Sequence, residues 1–160
     1  MNTYRWFESE VPNYLEIRQV YGFIFNFDGR ILLLEDQGEY NLPGGKSEKG
    51  ESLAETLIRE VLEEVQITIS SSTYLGYQFI SAKEEFAQVR LVAWIDKVLQ
   101  EAPDPSTGRQ YKRLLVPPIQ VSELLKWGES GDKQVASAIA TASKLGVNWD
   151  GTSRTAIEII

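Results

Sequence analysis

From Ile17 the chain alternates, with Tyr21, Phe23, Phe25 and Phe27 on one side and Gly22, Ile24 and Asn26 on the other. A period of two is that of a strand with two unlike faces. Asp28-Gly29 then reads as a hairpin turn, and residues 30–35 as the returning strand. Residues 36–39 are a polar loop, and residues 40–42 a short extended piece before Pro43. Past the glycines the period changes to that of a helix, expected to begin near Glu51 or Ser52 and to end near Val65. At roughly 100° per residue, Ala54, Leu57, Ile58, Val61, Leu62 and Val65 share one broad face. Glu60, Glu63 and Glu64 cluster on another, so the helix can pack on a sheet while its carboxylates converge outside it.

Residues 73–81 and 88–99 are again strand-like, rich in aromatic and β-branched residues, with a charged loop at 82–86. Prolines 103 and 105 and Gly108 make residues 101–110 a loop. Residues 111–116 suit one more short strand, stopped by Pro117-Pro118. Residues 121–127 start a short helix that breaks at Gly128. Residues 132–145 form the second long helix, with Val135, Ile139 and Ala142 on one stripe and Gly146 as its C-cap. The lead-in, residues 1–16, holds Tyr4, Trp6, Phe7 and Tyr14, too many aromatics for a free tail. It is expected to pack on the domain; the competing reading, an arm pairing with a second copy, leaves a homodimer open. The tail, residues 147–160, is weakly patterned. No repeat or linker interrupts residues 1–160, which are expected to form a single domain of α/β (α+β) class.

Composition narrows the chemistry more than the fold. The chain has no histidine and no cysteine, so disulfides, thiolate metal sites and every Ser-His or Cys-His arrangement are excluded. A formal net charge of −7 argues against a general nucleic-acid-binding surface. An anionic substrate would need a cation bridge. The first residues carry no secretory signal, and the apolar runs are too short to span a bilayer, so a soluble cytoplasmic protein with no membrane contact is expected. Three glutamates on one helix face repel one another unless a cation sits between them. Oxygen donors alone suit Mg²⁺ or Mn²⁺ rather than zinc. Such a metal neutralises charge at a phosphorus under attack and acidifies a bound water, whose proton a spare glutamate can take. The turn at Pro43-Gly44-Gly45 brings backbone groups close without side-chain obstruction.

Gly45, Glu51, Arg59, Glu60, Val61, Glu63, Glu64 and Ile67 stand at the spacing G-x5-E-x7-R-E-U-x-E-E-x-G-U, where U is bulky and apolar, and Leu42-Pro43-Gly44 precede them. This resembles the signature of the Nudix hydrolases. Six charged or glycine matches arise by chance on the order of once in 10⁷ windows. The resemblance implies a mixed β-sheet sandwiched between helices, with the signature forming a loop-helix-loop. It implies metal-dependent cleavage of a diphosphate linkage in a nucleoside diphosphate derivative. By position, Glu60, Glu63 and Glu64 would be metal ligands, with Glu60 also activating the attacking water and the Gly44 carbonyl completing the shell. Arg59 and Glu51 would pair to orient the helix. A further carboxylate from a later loop is common in the family, and Glu84 or Glu85 are the local candidates. The signature's last glycine is Gln66 here, so a slightly altered helix exit is expected, at about 1 kcal/mol.

Outside this pattern an acidic helix face is usually only solvated. The Tyr21–Phe27 stripe reads first as core and second as a base-stacking platform. Arg18, Arg90, Arg109, Lys112 and Arg113 are available for phosphate contacts, although surface solvation is the plainer reading of each; Arg18 joins Gly44 and Gly45 as the substrate-binding set. Ser81, Ala82 and Lys83 stand where proline or tyrosine would mark ADP-ribose or dinucleoside-polyphosphate hydrolases. A small MutT-like enzyme acting on a nucleoside triphosphate or related small nucleotide is therefore expected. The alternative is a catalytically silent Nudix-like nucleotide-binding or sensor module, against which the retained Glu60, Glu63 and Glu64 argue.

Overall fold

The structure, a computed structural model, describes residues 1–147 and 155–160. Its strands are β1 (Thr3–Phe7), β2 (Ile17–Phe25), β3 (Ile31–Asp36), β4 (Glu39–Asn41), β5 (Gly44–Lys46), β6 (Ile67–Ser81), β7 (Glu85–Val98), β8 (Lys112–Val116) and β9 (Ile157–Ile159). Its helices are α1 (Leu53–Val65), α2 (Pro118–Leu125) and α3 (Gly128–Lys144). The strands make one sheet in the order β1-β6-β7-β2-β3-β8-β9, with β4 on β3 and β5 on β2. The β2–β7 pair is parallel and the other pairs are antiparallel, so the sheet is mixed. Among the described residues no helix is long and apolar enough to cross a membrane.

Strand β2 explains the layering. Val20 and Ile24 pack with Leu57, Val61 and Val65 of α1 in one core cluster. Phe23 and Phe25 pack with Val121, Val135 and Ala138 of α2 and α3 in the other. Helices thus cover both faces. Phe27 departs from the expected stripe: β2 ends at Phe25, and Phe27 sits on the turn at 92% exposure.

Strands β2 and β3 pair only at Phe25–Ile31. Beyond that point β5 takes the edge of β2 at residues 19–21, and β4 takes β3 at residues 34–36. The sheet therefore splays, and the Leu42-Pro43-Gly44 turn lies in the opening. This opening positions the acidic helix.

Several boundaries differ from the sequence-based expectations for local reasons. Strand β6 starts at Ile67, directly after α1, because its polar Thr-Ile-Ser-Ser-Ser run bends through register shifts instead of forming a loop. Pro117-Pro118 both stops β8 and starts α2, with Pro118 at the first helical turn, where its missing N–H is not needed. Gly128 begins α3 rather than merely ending α2. At the far end Gly146 takes a φ of +101°, while Val147 N–H donates to Ala142 O and Gly146 N–H to Ser143 O, a Schellman closure. The aromatic lead-in pairs with β6 of the same chain as β1. In the tail, residues 148–154 lie outside the described residues, but Ile157–Ile159 adds an edge strand to β8, which the weak pattern gave no reason to expect.

Candidate active site

Helix α1 starts on a reciprocal cap. Ser52 Oγ accepts Glu55 N–H, and Glu55 Oε1 accepts Ser52 N–H. Just before it, Glu51 accepts from Glu48 N–H at 2.7 Å and takes Arg59 side-on: Nε to Oε2 at 2.7 Å and Nη2 to Oε1 at 3.0 Å. Arg59 Nη2 also donates to Lys46 O at 2.8 Å, which ties the loop after β5 to the helix. The Arg59 guanidinium, then the Glu48 N–H, holds the Glu51 carboxyl down at about 2. The sequence-based pairing of Arg59 with Glu51 is thus present as a two-point clamp.

The C-terminal half of the helix is unlike this. Glu60 and Glu63 share one cation, Arg59 Nη1, at 3.1 and 3.4 Å. Glu64 accepts Gly44 N–H at 2.8 Å. Burial pushes the Glu64 carboxyl up to about 8, and Glu60, Asp104 and Glu63 add to the rise. Glu60 is raised by burial too, against the pull of Arg59. Gly44 is required sterically, since a Cβ there would lie 2.2 Å from Val20 O, whereas one at Gly45 would lie 2.6 Å from the Glu60 carboxyl carbon and push that side chain aside. Gly44 also has a φ of +152°.

As the side chains stand, no three acidic groups among the described residues converge closely enough to grip a metal ion. The donor set nevertheless fits a hard divalent cation: it is all oxygen, partly desolvated, and the Arg59 guanidinium is the one cation that pairs with any of it among the described residues.

A further carboxylate that acts on this end of α1, and that sequence reasoning did not single out, is Asp104. It is 4% exposed, lies in the loop after β7, and raises both Glu60 and Glu64. Its Oδ1 accepts Ser106 N–H and Oγ–H, which folds the Asp-Pro-Ser-Thr-Gly stretch into a tight turn. That turn chemistry was the available signal. Glu84, by contrast, is ion-paired with Arg18, and Glu85 is exposed at the start of β7.

The candidate cations separate. Arg18 is held by Glu16 and Glu84 and lies 4.4 Å over the Phe86 ring, with none of the signature carboxylates among its partners. Arg109 pairs with Asp36 at 3.1 Å and lines a cavity of about 250 Å³ with Gly44 and Glu64. Lys112, largely exposed, stands 3.9 Å from Glu35. Arg90 and Arg113 are not surface residues at all: they are 2% and 1% exposed. Arg113 Nη1 donates to Val65 O and Leu99 O, supplying the cation that the last turn of α1 lacks. Burial lowers the Arg90 guanidinium to about 10.

Gln66 keeps the left-handed exit of a glycine, at φ 53° and ψ 45°. The expected change of helix exit does not occur, because the side chain is put to use. Its Nε2 donates to Glu63 O at 2.9 Å, and its Oε1 accepts Ala102 N–H at 3.0 Å. The helix end is thereby tied to the stretch of chain that leads to Asp104.

Residues 16–138 match the NUDIX domain family. The chain belongs to the Nudix family. Among solved structures it is similar to a point mutant of the Bacillus subtilis pyrophosphohydrolase BsRppH, at 26% identity over 63% of this chain and 65% of that one, with a TM-score of 0.56. It is also similar to a MutT from work on Aliivibrio salmonicida and Vibrio cholerae, at 24% identity over 78% and 96%, with a TM-score of 0.59. Caenorhabditis elegans Ap4A hydrolase shares the fold at 18% identity over 80% and 99%, with a TM-score of 0.55. No curated protein sequence matches the chain.

Proposed function

We propose that the protein is a pyrophosphohydrolase of the Nudix type that cleaves a diphosphate linkage in a nucleoside diphosphate derivative by attack of water at phosphorus. One observation carries this reading: Glu60, Glu63 and Glu64 stand at the end of α1, Asp104 adds to the repulsion on Glu60 and Glu64, and Arg59 is the one cation that pairs with any of them among the described residues, so a divalent cation would balance them. Mg²⁺ or Mn²⁺ would be held by Glu60, Glu63 and Glu64 with the Gly44 carbonyl; bound there, it neutralises charge on the phosphate and acidifies water. Glu60 orients the attacking water and takes its proton. Arg59 and Glu51 hold the loop after β5 against the helix and so aim the carboxylates. Asp104 adds the later-loop carboxylate for which Glu84 and Glu85 were candidates. Arg109, on the rim of the cavity that holds Glu64, meets the substrate's phosphates. The substrate is a nucleoside triphosphate or a related small nucleotide, in keeping with the pyrophosphohydrolase and MutT likenesses.

The test is phosphate and pyrophosphate release from nucleoside triphosphates, ADP-ribose, nucleotide sugars and dinucleoside polyphosphates, with Mg²⁺ or Mn²⁺ and with chelator. Metal-dependent turnover of at least one is expected, reduced about 10³-fold by Glu64→Gln and about 10- to 100-fold by Asp104→Asn. Turnover that survives chelator would overturn the reading. Saturable nucleotide binding with no turnover of any substrate would leave a nucleotide-binding module instead.

A further inference from the structure

A second cavity, of about 560 Å³, adjoins the acidic site and shares Tyr21 and Asn41 with the smaller one. Its size suits a nucleoside. Tyr21, Phe86 and Trp127 supply rings, and Gln78 and Gln88 supply side-chain amides. Among the described residues of the lining the one guanidinium is that of Arg90, and the partners that hold it are neutral. Nε donates to Gln134 Oε1 at 2.8 Å and Nη2 to Gln88 Oε1 at 3.4 Å. The Tyr21 and Trp127 rings lie 5.1 and 5.2 Å from its central carbon. Gln134 is itself fixed by Gln78, which also accepts from Ser130. The guanidinium is therefore held rigidly on a network of amides.

Nη1 has no acceptor among the described residues. An unpaired buried donor is costly, more so when charged, and a guanidinium can only donate. A ligand group brought against it must offer lone pairs. The rings favour a flat partner. Lys126 also lines this cavity, but the carboxylates that suit a metal-bound diphosphate, and Arg109, line the other one, across Tyr21. Trp127 leans over the guanidinium between Lys126 and Gly128, whose φ values are +57° and +70°. Nη1 is buried as the side chains stand, so contact with a ligand requires a neighbouring side chain such as Trp127 to shift.

We propose that this cavity binds the nucleobase and that Arg90 determines its specificity, accepting bases whose buried edge presents a carbonyl oxygen and rejecting those that present an amino group. Guanine offers O6 with N7, and uracil or thymine offers O4; adenine and cytosine place an N–H₂ donor against a donor-only side chain. This assignment rests on the hydrolytic reading for where the phosphates lie, but the base preference is measurable without hydrolysis.

The experiment is calorimetric titration of GMP, UMP, AMP and CMP, none of which has a diphosphate linkage, into wild-type protein, Arg90→Gln and Arg90→Lys. GMP and UMP are expected to bind about 10- to 100-fold more tightly than AMP and CMP. In Arg90→Gln the ratio is expected to shrink to about threefold or less, with wild-type circular dichroism and a cooperative melt. Should that variant not fold, Arg90→Lys keeps the buried charge but loses the planar fork, and it too must lower the ratio. Wild-type protein with no edge preference would overturn the proposal. So would equal weakening of all four ligands in a folded Arg90 variant. Arg90-dependent binding of ribose 5-phosphate as tight as that of GMP would also overturn it, and would make the cavity a phosphate site. A base preference found together with no metal-dependent turnover of any triphosphate would leave this assignment standing and remove the hydrolytic one.

Discussion

The two halves of α1 use the same residue type in opposite ways. At its start Glu51 meets Arg59 at two points and a backbone N–H at a third, and its carboxyl is held at about 2. At its end Glu64 has one backbone N–H, is buried beside Glu60, Glu63 and Asp104, and is pushed up to about 8. The first arrangement is complete within the chain and holds a loop to a helix. The second is incomplete, and its repulsion is removed only by protons or a cation. Charge alone does not separate a structural glutamate from a functional one; the balance of donors around it does.

Substitutions at the two ends should therefore separate activity from stability, and this contrast gives the largest effect. Glu64→Gln removes a repelled carboxylate and keeps an acceptor for Gly44 N–H. Its activity is expected to fall about 10³-fold, while the metal-free protein melts no lower than wild type. Arg59→Met breaks the complete arrangement and leaves Glu51 unpaired. It should lower the melting temperature by roughly 3–8 °C and activity by about 10- to 100-fold. Calorimetric melts in chelator beside initial rates check both, and a lower melting temperature for Glu64→Gln would contradict the comparison.

The pH dependence should carry opposite signs at the two ends. Glu64's folded value of about 8 lies above its ordinary 4.5. The folded protein therefore binds that proton more tightly than the unfolded chain, and stability falls as pH rises from 4.5 through 8. Glu51, lowered from 4.5 to about 2, contributes stability above 4.5 that is lost as pH falls toward 2. In chelator the melting temperature is expected to be higher at pH 6 than at pH 8, by roughly 3–10 °C. Saturating Mg²⁺, or Glu64→Gln, should flatten that slope. A flat wild-type profile in chelator would show that Glu64 is not strained.

How much of this was legible in the sequence follows from what each feature depends on. The period of two in β2 and the helical period in α1 are local, so those elements could be read directly, whereas the sandwiched sheet and the Glu51–Arg59 pairing followed from the resemblance to the family signature. The signature fixes spacing along one helix, which is why Glu60, Glu63 and Glu64 share a face. Asp104 could not be read that way, because it approaches α1 only through the long loop after β7. Arg90 and Arg113 looked like surface cations because their burial depends on elements far away in the chain. Arg113 donates to backbone carbonyls and Arg90 is held by rings and amides, contributed by those distant elements. The Tyr21–Phe27 stripe divided: Phe23 and Phe25 are core, whereas Tyr21 stands between the two cavities.

Gln66 gives the smallest effect and joins the two halves of the comparison. A non-glycine residue at φ 53° costs about 1 kcal/mol, and its two side-chain hydrogen bonds, to Glu63 O and Ala102 N–H, return about 1 kcal/mol each. Gln66→Gly loses the bonds but also the strain, so its stability should stay within about 1 kcal/mol of wild type. Gln66→Ala keeps the strain and loses both bonds, and should be destabilised by about 1–2 kcal/mol. Both release Ala102, two residues before Asp104, so both should lower kcat by a similar factor, on the order of threefold. Urea melts with initial rates on the pair distinguish the outcomes. If activity followed stability alone, with Gln66→Ala the less active of the two, the side chain would be a cap for α1 and nothing more. Equal loss of activity from variants of unequal stability would mean that Gln66 aligns the Asp104 loop with the acidic end of the helix.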